Sequence, residues 1–327
     1  MELSERRLRR IVSETRFDPK PLEKGIRLLD FLADIEKHPD LRGSFALKGG
    51  TALNLFQSDI PRLSVDIDIN YIQSAKKKTM MSQRDKLEDE IEKLGEKKGY
   101  QLDKKSESYA LSSFHFSYHR ASGGRDSLKV EVNFLMRQPL YNISSLRPRE
   151  LGSMNFPKFP VLNIHDLLAG KLKGLFEREA ARDLYDASTF LGQEQFQLDK
   201  LKLAFLVYGA SSRVDWREIS SDDINYELED VENNLYPMLG QKERESIDDI
   251  GEWFEEKKQK VRRAVEPLLE YTENQRVFLE EINEKGTVKP KLLTNDVKLQ
   301  KRISGNPALQ WKTKNVRDHF DIPEAGQ

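Results

Sequence analysis

The stretch KGGTALNLFQSDIPRLSVDIDI, residues 48–69, decides how the rest of the chain is read. Its last six residues alternate as a strand does, with Val65, Ile67 and Ile69 on one face and Ser64, Asp66 and Asp68 on the other. Two carboxylates that close repel each other unless something cationic stands between them: a metal ion, a Lys or Arg, or water. Upstream, residues 44–47 read as a short strand ending in Gly49-Gly50, and residues 51–57 as a helix with Leu53 and Phe56 on one side. Glycines placed there let backbone N–H groups face an anion, and the following helix adds its dipole. Lys48, Gly49, Gly50 and Thr51 are therefore candidates to cradle a triphosphate, although an ordinary tight turn would use the same glycines. Ser64 is placed either to donate to a phosphate oxygen or to end a loop, and Arg62 is a further candidate for phosphate.

A third carboxylate comes from SLKVEVNFLM, residues 127–136. Alternation puts Leu128, Val130, Val132 and Phe134 on one face and Lys129, Glu131 and Asn133 on the other. If this strand pairs beside the Asp66 strand, Asp66, Asp68 and Glu131 converge within a few ångströms. A site of oxygen ligands alone suits Mg²⁺ or Mn²⁺, not zinc. Such ions activate an attacking hydroxyl and stabilise a leaving pyrophosphate. Taken alone, a D-x-D pair is more often a solvated edge-strand feature than a metal site.

Around these strands, residues 19–37 read as a helix that starts near Pro21, repeats Ile26, Leu29 and Leu32, and stops before Pro39. Residues 64–72 form the second strand, and residues 76–98 a long charged helix closed by Gly99. Residues 108–119 and 127–136 are strands joined by the turn-rich ASGGRD. The order implies an α/β (α+β) fold, a small mixed β-sheet with flanking helices, followed by an all-helical C-terminal domain. Prolines and irregular sequence at 139–160 mark a junction, and 165–191, 194–208, 221–236, 241–271 and 272–284 read as helices. The expected organisation is a first domain over 1–150, a helical domain over 151–285, and a partly ordered basic tail over 286–327 carrying Pro290, Pro307 and Trp311.

Composition narrows the class. The chain has 327 residues, 37% hydrophobic and 33% charged, with a net charge of −1. No apolar run approaches the roughly 18 residues of a membrane span, and the charged start MELSERRLRR lacks a secretory core. Cysteine is absent, which excludes disulfides, thiolate catalysis and Cys-based zinc sites. A cytoplasmic location and no membrane partner are expected. Charge is uneven: residues 215–281 hold 20 acidic and 9 basic side chains, whereas from 286 onward basic ones lead 8 to 4. That asymmetry would orient a polyanion, or it is no more than solvated helix faces.

Two blocks together resemble a known family. GGTALNLF followed by RLSVDIDI is similar to the opening motif of the AbiEii/AbiGii nucleotidyltransferase toxins, a branch of the DNA-polymerase-β-like superfamily. LLAGKLKGLFEREAARDLYDAS, residues 167–188, resembles their later motifs, with Lys171 on the Lys position and Arg182, Asp183 and Asp186 on Arg-Asp-x-x-Asp. The wider superfamily opens with Gly-Ser closer to its D-x-D, so Gly-Gly-Thr with a longer interval matches the toxin branch. The resemblance covers roughly residues 42–191. By the residues alone, Lys171 shares a helix face with Leu167 and Leu175, and therefore snorkels, pairs with an acid, or meets an anion.

The resemblance implies an enzyme that transfers NMP from an NTP to an RNA acceptor, the tRNA 3′ end, with release of pyrophosphate. It implies metal, Mg²⁺ or Mn²⁺, on Asp66 and Asp68, to which the strand alternation adds Glu131, and a phosphate contact from Lys171 and Arg182. Asp183 would position Lys171 or serve as base, and Asp186 would play a structural part, as a cap or paired with Arg182 or Arg178. The expected partners are NTP, RNA and a co-encoded antitoxin of an abortive-infection system. The alternatives are an enzyme that AMPylates proteins, or a non-catalytic nucleotide-binding regulator.

Overall fold

The structure, a computed structural model, describes residues 3–193 and 197–323. It opens with a helix absent from the expectations above, α1 (Glu5–Thr15), whose first turn is capped by the Ser4 hydroxyl. Helix α2 (Pro19–Lys37) follows and buries Ile26, Leu29 and Leu32. Then come β1 (Phe45–Leu47), the short helix α3 (Gly49–Ala52) running on as a π turn over Leu53–Gln57, and β2 (Asp66–Tyr71). Helix α4 (Lys77–Lys97) leads to a meander of β3 (Gln101–Glu107), β4 (Leu111–His119) and β5 (Arg125–Asn133). Two three-residue strands, β6 (Ser144–Leu146) and β7 (Phe159–Val161), lie inside the stretch read as a junction.

These strands form one mixed sheet in the order β3-β4-β5-β2-β1-β7-β6. The β2–β5 and β1–β7 pairs are parallel, and the others are antiparallel. One face is apolar: Ile67, Ile69, Phe114, Phe116, Leu128, Val130 and Val132 are all buried. Phe31 of α2 packs on Phe116, with ring centroids 5.9 Å apart, and Gly95 of α4 lies so close to the same ring that no Cβ fits. The opposite face carries Asp66, Asp68, Lys129 and Glu131. Strand β3, QLDKKSE, lacks apolar alternation because it is an exposed edge, where charge discourages pairing with another chain.

The second half is helical. Helices α5 (Ile164–Glu177) and α6 (Ala181–Phe190) replace the single helix expected over 165–191, since the chain turns extended at Arg178. Helix α7 (Leu198–Gly209) matches the later part of the 194–208 expectation, whose first three residues lie outside the described residues. The helix expected over 221–236 is not continuous. A capping box between Ser220 and Asp223 closes one 3₁₀ turn, and α8 (Leu228–Asp230), a π turn over Val231–Leu235 and a second 3₁₀ turn over Tyr236–Met238 follow. The 241–271 expectation divides into α9 (Gln241–Glu245) and α10 (Ile250–Leu269), the latter restarted by the Asp249 carboxylate on the Glu252 N–H. Helices α11 (Glu273–Asn283), α12 (Val297–Ser304) and α13 (Pro307–His319) complete the chain. Pro307 starts α13 behind the Asn306 cap.

By internal contacts the chain forms two compact units: Met1–Arg137 with Ile143–Leu162 and Glu229–Trp253, and Gln138–Asn142 with Asn163–Leu228 and Phe254–Gln327. Among the described residues, no helix is long and apolar enough to cross a membrane.

Candidate active site

The first polar group lies on the open face of the sheet. Register places Asp66 opposite Lys129 and Asp68 opposite Glu131, and β4 extends both rows with His115 and Ser113. Register partners share a face, so two carboxylates of β2 and one of β5 stand together, all half-buried. At the neighbouring strand end, the Lys48 N–H donates to the Asp68 carbonyl at 2.9 Å. Gly49 follows with φ +71°, and a Cβ there would come within 2.5 Å of Asp68 Oδ2. Glycine is thus required twice, by the left-handed backbone and by the carboxylate against it.

Lys129 is the charged neighbour of this group to which sequence reasoning gave no role. Its Nζ lies 2.8 Å from Glu131 Oε1. The signal was present, since Lys-x-Glu on a strand puts opposite charges side by side on one face. With Glu131 held by Lys129, the oxygens of Asp66, Asp68 and Glu131 do not all come within 4.8 Å of one another, a looser grouping than expected. The donor set is nonetheless hard oxygen on one open face, which suits Mg²⁺ or Mn²⁺. A tighter group, His38, Asp40 and Glu90, occurs elsewhere in the same unit, but Lys86 and Lys93 already pair with its two carboxylates at 2.5 and 2.8 Å.

Thr51 and Ser64 are hydrogen-bonded to each other, and Thr51 to the backbone of this face. The Thr51 hydroxyl lies 2.6 Å from the Asp66 carbonyl and 2.9 Å from Ser64 Oγ. A carbonyl only accepts, so Thr51 donates its single hydrogen there and Ser64 donates to Thr51. The one O–H of Ser64 is therefore directed at Thr51 and not at a ligand. Arg62 is 2% exposed and donates to the Leu63 carbonyl at 2.8 Å, in the interior and not on the open face. Asn54 donates to the Gly50 carbonyl at 3.0 Å, which fixes the glycine turn.

The second polar group lies on α5 and α6. Lys171, 8% exposed, sits 2.7 Å from Asp183 and 2.9 Å from Asp186. Arg178 reaches the other oxygen of Asp183 at 2.9 Å. Burial alone would push the Asp183 carboxyl up, but Lys171 and Arg178 outweigh it and hold it below its ordinary value. Two cations and two carboxylates thereby neutralise one another. Arg182 stands half-buried on the same helix.

The family model described as the nucleotidyl transferase AbiEii toxin of a type IV toxin–antitoxin system matches residues 30–287, a span that takes in both polar groups. The chain belongs to the AbiEii nucleotidyltransferase toxin family. As an AbiEii protein it is a nucleotidyltransferase toxin of a type IV toxin–antitoxin system, a class that implies an NTP substrate and an antitoxin partner. The AbiEii chain is also similar in fold to MenT4, a nucleotidyltransferase toxin from Mycobacterium tuberculosis H37Rv. That match has a TM-score of 0.57 and 14% identity over 94% of this chain and 99% of that one. No curated protein matches by sequence.

Proposed function

We propose that this toxin transfers a nucleoside monophosphate from an NTP to an RNA, at the 3′ end of a tRNA, and releases pyrophosphate. The observation that carries the reading is the in-register Asp68–Glu131 row beside Asp66, with Gly49 seated on the Asp68 carboxylate. The 3′-hydroxyl oxygen attacks the α-phosphorus and the bond from that phosphorus to the bridging β-oxygen breaks. Pyrophosphate leaves, and the hydroxyl proton passes to a carboxylate of this face. Asp66, Asp68 and Glu131 would hold Mg²⁺ or Mn²⁺, which when bound acidifies the hydroxyl and offsets charge on the departing phosphates. The Lys48 N–H is taken by the Asp68 carbonyl, so the turn presents the N–H groups of Gly49 and Gly50 to the phosphates, with the Lys48 side chain beside them, while Thr51 and Ser64 hold the backbone beneath Asp66.

Lys171 and Arg182 are assigned to nucleotide phosphate by their family positions. Asp183 is assigned to positioning Lys171, because both of its oxygens already accept hydrogen bonds and its depressed pKa makes it a weak base. The test is incubation with each of the four α-labelled NTPs, Mg²⁺, total RNA and lysate protein. Label on tRNA is the expected result. Label on a protein band would establish AMPylation instead, and no label on either would reduce the fold to a nucleotide sensor.

A further inference from the structure

The last two helices carry a surface that the transfer chemistry leaves unexplained. Both α12 and α13 lie beyond residue 287, where the family match stops. Residues 288–323 hold eight Lys or Arg and three Asp or Glu, in a chain whose net charge is −1. This short segment therefore has five positive charges in excess, and everything else together has six negative ones.

Half of those cations are committed to the fold. Lys289 pairs with Glu281 at 3.0 Å, Arg302 donates to the Leu140 carbonyl at 2.8 Å, Lys312 to the Ser212 carbonyl at 2.9 Å, and Arg317 to the Gly286 carbonyl. The others, Lys291, Lys298, Lys301 and Lys314, are exposed and make no ion pair among the described residues. Lys298 and Lys301 stand three apart on α12, and Trp311 and Lys314 three apart on α13, so each pair shares a helix face. The opposite faces bury Ile303 of α12 and Leu309 and Val316 of α13. Trp311 is 44% exposed, so part of its indole edge and face borders solvent beside Lys314.

We propose that the outer faces of α12 and α13 form the docking surface for the RNA acceptor. The lysines neutralise backbone phosphates and Trp311 stacks on an unpaired base. Nucleic acid is favoured over a protein partner by this composition, since protein interfaces are depleted of lysine at their cores. The surface rests on the RNA-acceptor reading and adds to it the place where the acceptor is held.

Two variants test it: Lys298→Glu/Lys301→Glu/Lys314→Glu together, and Trp311→Ala. Total tRNA binding without NTP is measured against salt, and transfer is resolved into KM and kcat. The triple variant should flatten the log–log salt slope by about two to three and raise KM while kcat holds. Trp311→Ala should weaken binding on the order of 5- to 100-fold. Thermal unfolding confirms that both variants fold, and the Lys→Gln triple replaces the Glu triple if it does not. Unchanged slope, affinity and KM would overturn the surface, as would loss of antitoxin binding with RNA binding intact. Wild-type protein that binds tRNA through these residues yet labels none would leave the surface standing and overturn the acceptor reading alone.

Discussion

Replacing Lys171 with Met separates the architecture of the α5–α6 cluster from its chemistry. The substitution keeps the apolar stem but removes the ammonium that lies 2.7 Å from Asp183 and 2.9 Å from Asp186. Asp186 is fully buried and Asp183 nearly so, and Arg178 compensates Asp183. Removing one partner from a buried pair costs about 3–5 kcal/mol, because a charge stays behind in low dielectric. At roughly 2–4 °C per kcal/mol for a unit of this size, Tm should fall by about 10 °C. The pH dependence gives a second signature. In the wild type, the folded pKa of Asp183 lies below its ordinary 3.8, so its stabilisation is complete above that value and lost only as pH falls through the lowered folded value. In Lys171→Met, a stranded carboxylate takes up a proton on folding, so the deficit should shrink between pH 7 and pH 5. Urea melts across that range read both effects. Lys171→Met/Asp186→Asn should recover most of the stability without recovering transfer. An unfolding midpoint unchanged by Lys171→Met would refute the idea that this lysine completes a buried charge cluster.

Three further outcomes follow from the geometry. Gly49→Ala should destabilise by about 1–2 kcal/mol through its positive φ and push Asp68 aside, so transfer measured beside Tm should fall far more than stability does. Asp66→Ala should abolish transfer while the thermal midpoint holds or rises, because it relieves repulsion on the carboxylate face; a large drop in Tm would make Asp66 structural. Asp166 is buried with no direct ion pair among the described residues, accepts from the Leu140 and Tyr141 N–H groups and the Tyr208 hydroxyl, and burial pushes its pKa up to about 6. A raised folded value means stability is full below 3.8 and falls as pH rises to about 6, by on the order of 3 kcal/mol. Asp166→Asn should flatten that slope in urea melts at pH 4 to 7.

Alternation in SVDIDI and KVEVN was enough to assign the sheet faces, and the glycine pair marked the strand–helix turn. These signals are legible because one face meets a core and the other does not. Strand β3 was not, since an exposed edge carries no apolar repeat. The break between α5 and α6 lay inside a run of good helix formers, where no Gly or Pro announced it. Within the site, Asp66 and Asp68 were readable from spacing, but the roles of Thr51, Ser64 and Arg62 depend on which atom each hydrogen faces. Register, not sequence distance, brings Glu131 and its Lys129 partner beside Asp68.

The claim that a phosphoryl group bearing its nucleoside moves from NTP to RNA is tested most directly with two labels in one nucleotide. With ³²P at the α position, wild-type protein should mark the 3′ end of tRNA, and Asp66→Asn should not. With ³²P at the γ position, the same reaction should leave the RNA unmarked and place all label in pyrophosphate. Label from the γ position on RNA, or α label that Asp66→Asn transfers as well as the wild type does, would contradict the account.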